Sequence, residues 1–118
     1  MFRSFKEMPV WQEAMSIAEE IFRITETLPK KEDYGLTSQL RRAASSISAN
    51  IAEAYGRKHS LDKKNFYYIA RSSSTETQSH LEYGMRVGYF EKEQIDVLDS
   101  RLDQLYNDIN KIIITLRS

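Results

Sequence analysis

Apolar residues recur along this chain in steps of three and four. From Pro9 to Leu28, Val10, Ala14, Ile17, Ile21, Ile24 and Leu28 fall on one helical face. Trp11, Met15, Ala18 and Phe22 form an adjoining stripe, so about half the circumference is apolar. Pro9 suits a first helical turn, and Pro29 cannot continue the helix. The charged Lys30–Asp33 stretch reads as a loop. A second helix is expected from Tyr34 to Tyr55, its apolar face made by Leu36, Leu40, Ala43, Ala44, Ile47, Ile51 and Ala54. Asp33 or Thr37 is its expected N-cap, and Gly56 its stop. A third runs from Leu61 to Val87, with Ser60 as cap and Gly88 as stop. Phe66, Ala70, Ser73, Thr77 and Gly84 line its inward face, flanked by Ile69, Leu81 and Val87. Such small residues let helix axes approach closely, so this helix should pack tightly on the Ala-rich second one. A fourth spans Glu91 to Leu116, with Ile95, Leu98, Leu102, Leu105, Ile109, Ile112 and Leu116 in unbroken alternation of three and four.

No segment alternates with period two for long enough to form a strand. The links between the helices are short, as antiparallel neighbours require. The expected fold is all-α, an antiparallel up-down-up-down four-helix bundle, in a single domain over residues 1–118.

There is more apolar surface than one small bundle needs. Phe66-Tyr67-Tyr68 and Ile112-Ile113-Ile114 fan around their helices, so neither triplet fits wholly into one core. Phe2 and Phe5 precede any helix. Surplus of this kind marks an interface, and a homo-oligomer is expected. The competing expectation is that the N-terminal segment folds back over the excess.

The polar positions carry a pattern as well. Gln39, Arg42, Ser46, Asn50, Glu53 and Arg57 form a stripe beside the apolar face of the second helix. Glu53 and Arg57 have the favourable order for an ion pair one turn apart. Asn50, next to Ile47 and Ile51, is expected to bond across helices, because a half-buried amide needs partners. Glu76 and His80 repeat the one-turn spacing on the third helix. Asn50, Glu53, Glu76 and His80 are read as a structural polar network that sets helix register or a subunit interface. A small-molecule site near Glu53, Glu76 and His80 is a weaker reading.

Catalytic and metal motifs are missing from the sequence. No Glu has a His three residues later, as a di-iron carboxylate bundle needs. There is no His-Glu-x-x-His, no phosphate-binding Gly loop and no Gly-x-Ser-x-Gly elbow. Without Cys, disulfides, thiolate metal sites and Cys nucleophiles are excluded. No enzyme activity, cofactor or metal is expected. No apolar run reaches the length of a membrane span.

Charge alters the picture only when it is divided along the chain. The 118 residues hold 17 basic and 17 acidic side chains, a net charge of zero. Residues 1–33 carry −2, residues 34–88 carry +4 and residues 89–118 carry −2. Local field, not total charge, attracts a polyanion. Arg41, Arg42, Arg57, Lys58, Lys63, Lys64 and Arg71 make segment 41–71 the most basic, and Tyr67 and Tyr68 lie among them. Cations beside aromatics suit phosphate contact and base stacking. These seven are the candidate nucleic-acid contacts, with Arg42 and Arg57 also able to serve the polar stripe. The competing function is a protein-interaction scaffold with no nucleic-acid role.

The stretch Tyr34-Gly35-Leu36-Thr37-Ser38-Gln39-Leu40-Arg41-Arg42-Ala43-Ala44, continued by Ser45-Ser46-Ile47-Ser48-Ala49-Asn50-Ile51-Ala52-Glu53-Ala54-Tyr55-Gly56-Arg57, resembles the signature of the 23S rRNA-intervening sequence proteins. The likeness extends to Val10-Trp11, Phe66, Ala70-Arg71, Ser73, Glu76-Thr77-Gln78 and Gly88-Tyr89. Ala54 and Ser48 depart from the Gly and Pro common in that family. The resemblance implies a bacterial, cytoplasmic four-helix bundle that assembles as a homo-oligomer, with a pentamer as the best guess. It also implies likeness to the accessory proteins of diversity-generating retroelements, which engage a reverse transcriptase and nucleic acid.

Overall fold

The structure, a computed structural model, describes residues 1–116. Four helices account for most of it: α1 (Pro9–Thr25), α2 (Leu36–Gly56), α3 (Ser60–Arg86) and α4 (Lys92–Thr115). Short 3-10 turns at Phe5–Glu7 and Lys30–Glu32 precede α1 and α2. Contacts run α1 to α2, α2 to α3, α3 to α4 and α4 back to α1, which closes a square bundle of 44 × 23 × 21 Å.

Cross-helix contacts give the helix directions. Along α3, Lys63 meets Ala54 and Tyr55, Ser73 meets Ser46, and Gly84 lies against Leu36. The α2 partners therefore fall in number as α3 rises. Arg71 to Asn110 and Gln78 to Asp103 give the same reversal between α3 and α4. The bundle is antiparallel and up-down-up-down.

The core follows the apolar period. Ile17, Ile21, Leu40, Ile47, Ile51, Leu81, Ile95, Leu98, Leu102, Leu105 and Ile109 are fully buried. Small residues line the α2–α3 side of both helices: Ala43 and Ala54 on α2, and Ala70, Ser73, Thr77 and Gly84 on α3, are all buried. Buried hydroxyls in mid-helix are satisfied locally: Thr77 donates to the Ser73 carbonyl at 2.8 Å and Ser74 to that of Arg71 at 2.7 Å. α3 ends in a Schellman motif. The Tyr89 N–H donates to the Gly84 carbonyl, that of Gly88 to Met85, and Gly88 takes φ +91°.

Several expectations are corrected. α1 ends three residues before Leu28, where the Thr25 hydroxyl turns back onto the Ile21 carbonyl at 2.7 Å. α2 starts at Leu36, so Tyr34 is exposed and Thr37 lies inside the helix with its buried hydroxyl unpartnered. The cap is neither Asp33 nor Thr37: the Glu32 carboxylate accepts from the Leu36 N–H at 3.2 Å. α3 begins at Ser60 itself, with His59 in the cap position. Its inward aromatic is Tyr67, not Phe66, and Ile69 and Val87 are exposed. On α4 Ile113, not Ile112, completes the core, while Ile114 is exposed. In each triplet the middle residue is buried, the first packs partly buried against the core and the last is exposed.

The N-terminal segment does fold back. Phe5 meets Trp11 edge-on, with ring centroids 5.2 Å apart, and the Tyr55 hydroxyl donates to the Phe2 carbonyl at 2.9 Å. Phe22, at the far end of that stripe, stays half exposed.

Candidate nucleic-acid interface

Helix geometry divides the seven candidate cations. Arg41 and Arg42 lie near the start of α2, whereas Arg57 and Lys58 follow its end, ~22 Å further along at 1.5 Å per residue. Adjacent helical positions differ by about 100°, so Arg41 and Arg42 face different neighbours. Arg41 turns to α1. Its Nε donates to the Thr25 hydroxyl at 2.9 Å, and its guanidinium sits 4.2 Å from the Phe22 ring centroid. Arg42 is exposed and lines a shallow polar furrow between α2 and α3 with Gln39, Ser46 and Glu76.

Arg71, on α3, turns to α4. It donates to Asn110 Oδ1 at 2.6 Å and lies over the rings of Tyr68 and Tyr106. Lys63 reaches back across the α2–α3 turn, and its ammonium donates to the carbonyls of Ala54 at 3.0 Å and Tyr55 at 3.3 Å. A cation in the first turn of α3 conflicts with that helix's dipole, but at the C-terminus of α2 the same charge is favourable. Arg57 pairs with Glu53 at 3.2 Å and covers the Phe66 ring at 4.6 Å, with half of its side chain still exposed.

Arg41, Lys63 and Arg71 are thus engaged in holding helices together. Lys58 is exposed and Lys64 partly buried, and neither has a hydrogen-bonding or ionic partner among the described residues. With Arg57 and the exposed His59 they form one cluster at the α2–α3 end of the bundle. Arg42 stands apart from it.

The polar residues form separate local groups. Asn50 does not bond across helices: its amide donates within α2, to the Ser46 carbonyl at 2.7 Å and hydroxyl at 3.0 Å. The crossing is made one residue pair further on, where Ser73 donates to the Ser46 hydroxyl at 2.9 Å. Glu53 bonds to Arg57, and Glu76 to His80 at 3.4 Å, each to the residue one turn further on rather than across helices. The furrow beside Glu76 continues past Gln39 to His80, Tyr83 and Glu32.

Three further polar arrangements were not anticipated. Arg101 of α4 makes a two-pronged ion pair with Glu13 of α1, at 3.1 and 2.8 Å, and donates to the Ser16 hydroxyl. Glu32 accepts from the Tyr89 hydroxyl at 2.8 Å, which ties the α1–α2 link to the α3–α4 link. That bond, and after it the Leu36 N–H, lowers the Glu32 pKa, and the bond to Glu32 raises that of Tyr89. Asp99 faces Asp103, Glu82 and Asp96, and its Oδ1 is buried without a partner. Burial first, and those carboxylates second, raise its pKa. Glu32, inside a run of charged loop residues, and Arg101, on an otherwise amphipathic helix, carry no local mark of these roles. Among the described residues no group of three metal-ligating side chains converges, and no helix is long and apolar enough to cross a membrane.

The family model described as 23S rRNA-intervening sequence protein matches residues 6–111. A solved structure of a protein with unknown function from the S23 ribosomal protein family, from Bacteroides thetaiotaomicron, superposes with a TM-score of 0.83 at 26% identity. That match covers 90% of this chain and 99% of the other. No curated protein matches.

Proposed function

The chain belongs to the 23S rRNA-intervening sequence protein family, and we propose that this member is a non-enzymatic, self-associating accessory protein that contacts RNA or DNA through the α2–α3 end of the bundle. The observation that carries the reading is the cluster of Arg57, Lys58, His59 and Lys64 at one turn, with Lys58 and Lys64 unpaired among the described residues. Phosphate contacts of this kind are made by charge and shape rather than by base edges. One subunit offers few cations. A homo-oligomer, for which the resemblance suggests a pentamer, repeats them and adds weak contacts through avidity.

Titration of labelled structured RNA and duplex DNA across a salt series tests this. Binding should weaken steeply with salt, with a log–log slope of about −0.9 per phosphate neutralised on duplex DNA. Lys58→Glu/Lys64→Glu should lower the affinity at least ~tenfold, reversing two charges in a cooperative patch. No binding at low salt refutes the reading.

A second reading, a protein-interaction scaffold, is supported by the outer face of α3. Its exposed residues from Asn65 to Tyr83 are Asn65, Tyr68, Ile69, Ser72, Thr75, Glu76, Ser79 and Tyr83, of which one is charged. Depletion of charge with enrichment in Tyr is the composition of an interface core.

A further inference from the structure

An open apolar cavity of about 590 Å3 lies at the end of the bundle where the N-terminal segment, α2, α3 and α4 converge. Phe2, Met8, Ile112 and Leu116 form its apolar wall, and Lys63 and Tyr67 supply the polar groups. Its size falls in the range of small-molecule sites, which combine apolar walls with a few placed polar atoms.

Two features point to what it takes. Tyr67 is 96% buried by residue, having 4% of its surface exposed. Its hydroxyl has no hydrogen-bond partner among the described residues, unlike that of Tyr55 on the same rim, which donates to the Phe2 carbonyl. The hydroxyl is not among the fully buried atoms, so it opens onto the cavity and is free to donate to a molecule held there. Lys63 has three ammonium protons and gives two to the carbonyls of Ala54 and Tyr55. The third remains for an acceptor. The walls around this pair are apolar, so a highly charged ligand would lose its hydration over most of its surface.

We propose that the cavity binds a linear monoanionic amphiphile, a medium-chain carboxylate, with its headgroup on Lys63 and Tyr67 and its chain along Phe2, Met8, Ile112 and Leu116. The neighbouring turn, with Arg57, Lys58 and Lys64, adds a positive field that favours an anionic headgroup over a neutral or cationic one. The Tyr67 phenol is a donor at neutral pH, and burial raises its pKa further above the ordinary value of 10. Lys63, one of the seven candidate contacts in the sequence, is held by the carbonyls of Ala54 and Tyr55 and lies outside the Arg57, Lys58, His59 and Lys64 cluster proposed to meet nucleic acid, so the two readings can fail separately.

The test is a titration of the full chain with decanoate, decanol and decyltrimethylammonium, kept below micelle formation and followed by amide chemical shifts. Decanoate should saturate one site, with shifts centred on Phe2, Tyr67, Ile112 and Leu116. Decanol and the cation should bind at least ~tenfold more weakly, since each loses the charge-assisted bond to Lys63. Tyr67→Phe, which keeps the ring in the core, should weaken decanoate about fivefold, the worth of one hydrogen bond. Leu116→Trp, just beyond the end of α4, should block it, with the α-helical circular dichroism unchanged. No saturable site, shifts elsewhere, equal binding of anion and cation, or indifference to both variants would each overturn the proposal.

Discussion

Gly84 sits where the Phe90 ring crosses α3. A Cβ there would lie 2.6 Å from Phe90 Cδ2, closer still to Cε2, and 3.3 Å from Leu36. The ring is buried at the entrance to α4, so it cannot move without opening the core. Gly84→Ala should therefore lose about 1–3 kcal/mol, the usual range for overpacking. Gly56, at the end of α2, has no neighbour within 4 Å of a Cβ, and its φ is not positive. Gly56→Ala should instead gain about 0.4–1 kcal/mol by narrowing the unfolded ensemble. Urea unfolding of the two variants distinguishes them by sign. Asp99 makes a second prediction at this scale. Its pKa is raised in the folded state, so the native protein binds its proton more tightly than the unfolded chain does. Its contribution to stability is lost as pH rises from the ordinary Asp value of 3.8 through the raised folded one. Above that window its ionised carboxylate opposes folding. Asp99→Asn should raise the unfolding midpoint at pH 7 and lose that advantage at acid pH, where both side chains are uncharged. Equal midpoints at pH 7 would contradict it.

Between elements, long polar side chains join helices that are packed chiefly by apolar contacts. Lys63 satisfies carbonyls at the end of α2 from the start of α3, so the three-residue turn between them is closed by a side chain as well as by the backbone. The α1–α4 seam is the least extensive of the four, and Arg101–Glu13 spans it. The four other Arg or Lys ion pairs among the described residues, and the Glu76–His80 contact, join side chains only three or four residues apart. Both members of the Arg101–Glu13 pair are partly exposed, which limits its value through solvent screening. A double-mutant cycle with Glu13→Gln and Arg101→Met should give a coupling of up to about 1 kcal/mol that shrinks in high salt. The same cycle on Glu53 and Arg57 should give roughly half as much or less, since that pair is exposed and only one turn apart at the end of α2. Equal couplings would mean that the α1–α4 seam does not rely on the pair.

At the scale of the whole molecule, folding leaves apolar surface outside. The N-terminal segment covers Trp11 through Phe5, yet Ile114 is 80% exposed and Leu61 and Val97 are each 61% exposed. The weakly charged outer face of α3 adds Tyr68 and Tyr83. Burying such faces between copies is the simplest way to remove them from water. Sedimentation at micromolar concentration should find an assembly larger than one chain. Tyr68→Glu/Tyr83→Glu should shift it to monomers with the same helical circular dichroism, since both side chains are exposed in the single chain. A wild-type monomer would refute self-association.

The four helices, their order and most of the core were legible in the amino-acid sequence. Their cause is local: apolar residues three and four apart force one face inward wherever the helix packs. Gly88 was legible as a stop for the same reason, because a positive φ at a helix end favours glycine. The destination of each charge was not legible. Arg41, Lys63 and Arg71 look alike in the chain, but Thr25, the end of α2 and Asn110 claim them. Those partners lie on other helices and come within reach only when the bundle closes. Glu32, which caps α2 and holds Tyr89 57 residues away, is the same case. Periodicity decides which face of a helix turns inward. Tertiary packing alone decides which polar side chains find partners at the edges of that face, and so which cations are left for another molecule.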